Sequence, residues 1–228
     1  MTQRGVPWLS RNGRAYRLFR SARNRAILTS KGLRSVALSS YIHRTSTVAR
    51  DLCAGDYVFI GPACSIPPLV SIGRYTMLAA RVAIVGDDHR FDDPAVPMQF
   101  TGRPSQRATS IGSDVWIGHG AVVMRGLDIG DGALIAAGSV VTHDVPAREV
   151  WAGVPARKLR DRFSDDQQCA SHEQMLSSPL LEPHFVEPQL WLAASKSDTL
   201  RGRESAGARP PTTSAPRSAS PAPGSRLS

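Results

Sequence analysis

The chain has 228 residues, a formal net charge of +9 and 41% hydrophobic residues. That length fits one domain with extensions or two small domains, and no apolar run approaches the roughly 18 residues of a membrane span. The charge is uneven: residues 1–41 hold nine Lys or Arg and no acid, residues 42–163 hold thirteen basic and twelve acidic residues, and residues 164–228 hold six and seven. Basic character therefore belongs to an N-terminal arm, which argues against a nucleic-acid partner for the chain as a whole. The first residues, with Trp8 and repeated Arg, lack the charged-then-apolar pattern of a secretory leader. Cys53, Cys64 and Cys169 form no metal or disulfide pattern. These features point to the cytoplasm.

In the arm, residues 1–41, Arg11, Arg14, Arg17, Arg20 and Arg23 recur every third position among Ala15, Leu18, Phe19, Ala22 and Ala26. A spacing of three drifts around a 3.6-residue helix and gives a broad basic face. Such a short helix either covers the open end of the domain that follows or makes a peripheral contact with the inner face of an anionic membrane.

From Ile42 an aliphatic residue returns every sixth position: Ile42, Val48, Ala54, Ile60, Ile66, Ile72, Leu78, Ile84, and, in a new phase, Ile111, Ile117, Val123, Ile129, Ile135 and Val141. A period of six is neither helical nor that of a half-buried strand; it marks a repeat architecture. Two places before most of these residues stands a small or β-branched one, Cys64 among them, and a Gly often follows. Three hexads make a triangular coil of roughly eighteen residues, with the aliphatics stacked inside and turns at the corners. Fourteen hexads give four to five coils.

Residues 85–110, VGDDHRFDDPAVPMQFTGRPSQRATS, break the phase. A long loop inside a regular solenoid is usually functional or disordered. This one places His89 among Asp87, Asp88, Asp92 and Asp93, with apolar residues at Phe91, Met98 and Phe100.

The passage IGSDVWIGHGAVVMRGLDIGDGALIAAGSVVTHDVPAREVWAGVPARKLR, residues 111–160, resembles the hexapeptide-repeat acyltransferases, in particular the sugar, maltose, exopolysaccharide and antibiotic O-acetyltransferases. The resemblance covers residues 42–163. It implies an all-β fold, a left-handed parallel β-helix of hexapeptide repeats with a protruding loop and a short C-terminal helix running from Arg157 to about Phe163. It also implies a homotrimer with acetyl-CoA as co-substrate, no metal, and a small-molecule or lipid-linked saccharide as acceptor. On this likeness His89 is the catalytic base. The residue type suits the task, because an imidazole titrates near neutrality and can take the proton of an attacking hydroxyl. Asp88, Asp92 and Asp93 are candidates to orient it or to touch the acceptor.

By the same likeness Trp116, His119, Ala137, Thr142, His143, Arg157 and Lys158 line the coenzyme channel. Small side chains at Ala136–Ala137–Gly138 suit close approach of pantetheine to the main chain, and Arg157, Lys158 and Arg160 suit a phosphate. His143 stands where relatives often carry Lys. IGH followed by AVVM is also similar to part of the zinc-binding pattern of γ-class carbonic anhydrases. There Met124 replaces a ligating His, and a thioether is a poor zinc ligand. The rivals to a sugar O-acetyltransferase are an antibiotic O-acetyltransferase and a non-catalytic β-helix scaffold.

Residues 164–228 read as a largely disordered tail. From Ser195 the composition cannot bury enough apolar surface to fold. Leu180, Leu181, Phe185, Leu190, Trp191 and Leu192 offer one docking patch before it, and His172 and His184 receive no role.

Overall fold

The computed structural model describes residues 13–181. The chain divides by contacts into Met1–Pro183 and His184–Ser228, and all described residues belong to the first unit. The expectations for Trp8, Arg11, His184, Phe185, Leu190, Trp191, Leu192 and the segment from Ser195 fall outside the described residues.

The six-residue period folds into a three-faced solenoid of all-parallel coils. On the first face lie Ser35–Val36, Cys53–Ala54, Val70–Ile72, Thr109–Ile111 and Asp128–Ile129. Tyr41–Ile42, Phe59–Ile60, Met77–Leu78, Trp116–Ile117, Leu134–Ile135 and Glu149–Gly153 make the second face, and Ala156–Asp161 adds an antiparallel edge to it. The third carries Thr47–Val48, Ser65–Ile66, Ala83–Val85, Val122–Met124 and Val140–Val141. Partners sit eighteen residues apart, as in Ser35↔Cys53, Tyr41↔Phe59 and Thr47↔Ser65. Across the loop Val70 pairs Thr109, thirty-nine residues on, so the insertion adds 39 − 18 = 21 residues.

The interior is the predicted one. Ile60, Leu78, Ile117, Val123, Ile135 and Val141 are fully buried, as are Val58, Val82, Val115, Ala121 and Ala133 at the small position. Each buried Ile or Leu contributes about 1.5–3 kcal/mol, and each stacks on an aliphatic residue of the coils above and below, as in Ile60–Leu78–Ile117. Where the small position is a hydroxyl, it bridges two coils. Ser46 Oγ donates to the Gly61 carbonyl (2.6 Å) and accepts from the Cys64 amide (3.1 Å). Thr76 Oγ1 does the same with Gly112 (2.6 Å) and Val115 (3.1 Å). Both hydroxyls are buried and fully paired, which removes the cost of hiding them.

Two boundaries differ from the expectation. The coils begin one hexad earlier, at Ser35–Val36. Val36 keeps the phase, but exposed Arg34 occupies the small position before it, so the repeat is degenerate there. This extra hexad, with Val145 and Val150 at the far end, brings the solenoid to five full coils and the start of a sixth. The helix expected over Arg157–Phe163 is instead a strand, Ala156–Asp161, folded back on Glu149–Gly153. A helix there would abandon the pairing edge of the last coil; the hairpin covers that edge with its own main chain. The C-terminal helix, α2, lies further on, at Asp166–Ser177, beyond the expected tail boundary at residue 163. Asp165 caps it by accepting from the Gln168 amide (2.8 Å), while Gln168 Oε1 accepts from the Ser164 amide (3.0 Å). The pair satisfies one free helix-end donor, the Gln168 amide, and the Ser164 amide just before the cap.

The arm forms α1, Arg14–Lys31, closed by Gly32 in the left-handed conformation. Asn24 and Leu28 are its buried residues. Asn24 Nδ2 donates to the Ser40 carbonyl (2.8 Å), so the helix covers the open end of the first coil, as terminal caps of repeat arrays must.

Candidate functional site

The protruding loop leaves the third face after Val85 and returns to the first face at Thr109. It is cross-linked rather than slack. At its base the Asp87 carboxylate accepts from the Arg107 amide (3.0 Å) and guanidinium (3.4 Å). The Arg107 amide, first of all, holds the Asp87 carboxyl below the ordinary 3.8. Further out the Arg90 amide donates to the Gly102 carbonyl (3.0 Å), and Thr101 Oγ1 donates to the Arg90 carbonyl. His89 lies between these two rungs, so its main chain is pinned on both sides while its side chain is exposed.

Arg125 braces the loop from below. It is buried to 3% exposure; its amide donates to the Val85 carbonyl (2.8 Å), and its guanidinium reaches the Pro68 carbonyl (2.8 Å) and Gln106 Oε1 (3.3 Å). Its Nε has no partner among the described residues. Thr142 and His143 sit one coil further along the same corner, with Thr142 Oγ1 2.9 Å from His143 Nδ1.

The loop carboxylates divide. Asp92 pairs with Arg90 (3.2 Å), which lowers its pKa, and Asp93 accepts from the Ala95 amide (3.0 Å). Among the described residues none of Asp88, Asp92 and Asp93 hydrogen-bonds the His89 ring.

The remaining candidates gather at another corner, between the second and third faces. Trp116 points outward from the second face and is 49% exposed. Its strand neighbours outward are Met77 and Leu134, and beyond Met77 come Phe59 and Tyr41, whose rings stack at 5.3 Å. His119 is exposed at the corner itself, and its carbonyl accepts from the Gly138 amide (2.8 Å). Ala137 lies against Gly118 so closely that a Cβ on Gly118 would stand 2.5 Å from the Ala137 nitrogen. By contrast Gly120 and Gly138 have positive φ, and a Cβ at either would meet nothing within 4 Å. Their main chain is open to a ligand's close approach.

On the terminal hairpin, Lys158 Nζ is held between Glu149 (2.8 Å) and Asp161 (2.7 Å). The Asp161 bond first, then that to Glu149, raises its pKa above the ordinary lysine value. Arg157 donates to the Ala156 carbonyl (2.8 Å). Each residue named from sequence is thus on the surface, but in two groups. His89, Thr142 and His143 share one corner; Trp116, His119 and Ala137 share the other, continued by the hairpin of Arg157 and Lys158.

Sequence reasoning missed Arg125 and the Asp87–Arg107 clasp. It also missed a node at the third corner: Asp114 Oδ2 lies 2.9 Å from Arg162 NH2 and 3.0 Å from His172 Nε2, which ties α2 to the coils. For Arg125 no signal exists, since a corner position carries no hexad constraint. Asp87 stands in plain view two residues before His89.

The comparisons agree with this architecture. A family pattern described as bacterial transferase hexapeptide (six repeats) matches residues 108–143. A Lysinibacillus sphaericus protein named "Probable macrolide acetyltransferase" is 34% identical over 126 residues, covering 49% of this chain and 67% of that one. The galactoside O-acetyltransferase of Escherichia coli (strain K12) is 35% identical over 109 residues, covering 40% of this chain and 54% of the relative. A solved maltose O-acetyltransferase from Clostridium difficile 630 superposes over 66% of this chain and 87% of its own with a TM-score of 0.52 at 24% identity, a likeness of fold. The chain belongs to the bacterial hexapeptide-repeat transferases, and its solenoid is their left-handed parallel β-helix. It spans from under a third to two thirds of the length of the first curated relatives it matches.

Proposed function

We propose that this protein is an acetyl-CoA-dependent O-acetyltransferase acting on a hydroxyl of a sugar or surface-polysaccharide precursor. The observation that carries the reading is His89, exposed but held between two hydrogen-bonded rungs on a braced loop. A general base needs that combination of access and fixed position. The acceptor hydroxyl gives its proton to the His89 imidazole as its oxygen attacks the thioester carbonyl. The tetrahedral oxyanion collapses, the C–S bond breaks, and the coenzyme thiolate takes the proton back from the imidazolium. Backbone N–H groups stabilise the oxyanion. Transfer is direct from coenzyme to acceptor: among the described residues no Cys or Ser hydrogen-bonds a histidine as an activated nucleophile would.

The open main chain at Gly120 and Gly138, beside Ala137 and the exposed Trp116, suits a pantetheine arm. The exposed hairpin with Arg157 and Lys158 suits its phosphate end, Lys158 giving up one of its two carboxylates. His89 and this groove stand at different corners of one copy. A homotrimer resolves the separation: a heterologous, closing contact sets the loop of one copy against the second face of the next. The outward column of Tyr41, Phe59, Met77, Trp116 and Leu134 supplies apolar surface for that contact. The sugar acceptor is favoured by likeness to the galactoside enzyme, and an antibiotic acceptor by likeness to the macrolide one.

The test is acetyl-CoA consumption by the full chain against a panel of free sugars, lipid-linked saccharides, chloramphenicol and macrolides. Turnover with saccharides supports the reading. Turnover with antibiotics alone moves the acceptor class, and absence of saturable acetyl-CoA binding makes the protein a β-helix scaffold.

A further inference from the structure

Helix α1 has two faces, and only one is explained by capping. Its inner face, with Asn24 and Leu28, closes the first coil. The opposite face carries Ala15, Leu18, Phe19, Ala22 and Ala26, at positions i, i+3, i+4, i+7 and i+11, all exposed. Leu18 is 73% and Phe19 47% exposed. A cap needs no apolar residues on its outer side, where polar ones would be soluble at no cost, so this stripe is a contact surface. Exposed Arg14 and Arg25 flank it.

The charge of the surroundings selects the occupant. Residues 1–50 contain eleven Arg or Lys and no Asp or Glu; the first acid in the chain is Asp51. A second copy docked through the same face would bring an identical set of cations against this one, and like charges across an interface repel. An anionic lipid surface satisfies both features at once: side chains such as Leu18 and Phe19 enter the headgroup boundary, while flanking arginines meet lipid phosphates. The helix is about 27 Å long at 1.5 Å per residue, enough to lie along such a surface over five turns, and its axis is fixed to the solenoid by the Asn24–Ser40 bond.

We propose that the outer face of α1, centred on Leu18 and Phe19 and flanked by Arg14 and Arg25, is a docking surface for anionic lipid headgroups, one that holds the solenoid against a membrane. No helix among the described residues is long and apolar enough to cross a membrane, so the attachment is peripheral and reversible. This inference does not depend on acyl transfer. It concerns only where the protein sits, although a lipid-linked acceptor would be presented at the same surface.

The experiment is flotation of the full chain with vesicles of phosphatidylcholine alone and with vesicles that also contain phosphatidylglycerol. Binding is expected only to the anionic vesicles, and it weakens as added salt screens the charges. Leu18→Glu with Phe19→Glu removes the apolar contact and lowers vesicle affinity about tenfold or more. Arg14→Gln with Arg25→Gln lowers it about 25-fold, roughly fivefold per cation. Because all four side chains face outward, circular dichroism and thermal midpoint stay as in the wild type, as does any turnover on a soluble acceptor. Equal binding to neutral vesicles overturns the proposal. So does undiminished binding of the Leu18→Glu/Phe19→Glu variant, which would place the lipid contact elsewhere on the chain. A change in oligomeric mass in that variant, read by light scattering, would assign the face to self-association and overturn it as well.

Discussion

Replacing Asp114 by alanine tests how far α2 depends on one partly buried polar node, the Arg148–Glu173 pair that also ties it to the coils being more exposed. Asp114 Oδ2 takes both Arg162 (2.9 Å) and His172 (3.0 Å), and His172 is the buried residue of α2. Its Nδ1 already lacks a partner among the described residues, so losing the Nε2 partner leaves a buried ring unsatisfied, at about 1–3 kcal/mol. The Arg162 pair is partly exposed, with side chains 29% and 26% accessible, so solvent screening holds its share to about 1 kcal/mol or less. Asp114 also sits at φ 53°, where alanine costs about 1 kcal/mol more than aspartate or asparagine. The total is about 3 kcal/mol, felt where α2 meets the coils. Hydrogen exchange followed by mass spectrometry reads this directly. The account predicts roughly hundredfold faster exchange over 166–177 in Asp114→Ala, with exchange of the central coils unchanged. Asp114→Asn keeps an acceptor and tolerates the left-handed conformation, and so falls between. Unchanged exchange of α2 in Asp114→Ala would refute the node.

Other consequences follow from single contacts. Asp87→Asn weakens the clasp at the loop base, so protease nicking within 86–108 rises at pH 7. In the wild type the Asp87 pKa is depressed below 3.8, so its contribution is complete above the unfolded value. It is lost as the pH falls through the folded one, and the same nicking appears only in acid below about pH 4. Gly118→Ala forces a Cβ to 2.5 Å from backbone at Ala137 and lowers stability by about 1–3 kcal/mol, roughly 2–12 °C in thermal midpoint. Gly138→Ala meets open space and pays only for its φ of 69°, about 1–2 kcal/mol; no measurable loss at Gly118, or a loss well above about 2 kcal/mol at Gly138, would contradict the packing argument. Thiol labelling of the native protein marks exposed Cys53 and spares Cys64, whose thiol is pushed up by burial. Cys64 becomes reactive only on unfolding.

The solenoid was legible because its physics is periodic: an aliphatic at the inner position of every hexad writes itself into the sequence from Ile42 to Ile84 and, in a shifted phase after the loop, from Ile111 to Val141. Legibility failed where the coils meet something aperiodic. Arg34 hid the first hexad, since a strand beneath a capping helix need not bury both interior positions. The terminal hairpin was mistaken for a helix because charged residues at Arg157, Lys158 and Arg160 fit an exposed strand edge as well as a helix surface. Helix α2 carried a readable signal, Ser164–Asp165 followed by Gln168, but its only buried side chain is a histidine, so no apolar stripe announced it. At the candidate site, His89 was conspicuous as a histidine in a phase-breaking loop. The partners that fix its backbone were not, because Arg107 stands at the far end of the loop and Arg125 on the next coil, and they reach Asp87 and Val85 only once the coils are stacked.

The most direct test of the central claim is acetyl-CoA turnover of wild type and His89→Ala, compared with an acceptor the wild type uses. The account predicts saturable acetyl-CoA binding in both, an unchanged thermal midpoint because the side chain is exposed, and a fall in kcat of roughly 10²-fold or more in the variant. Equal turnover by the two proteins would contradict it and place the base elsewhere.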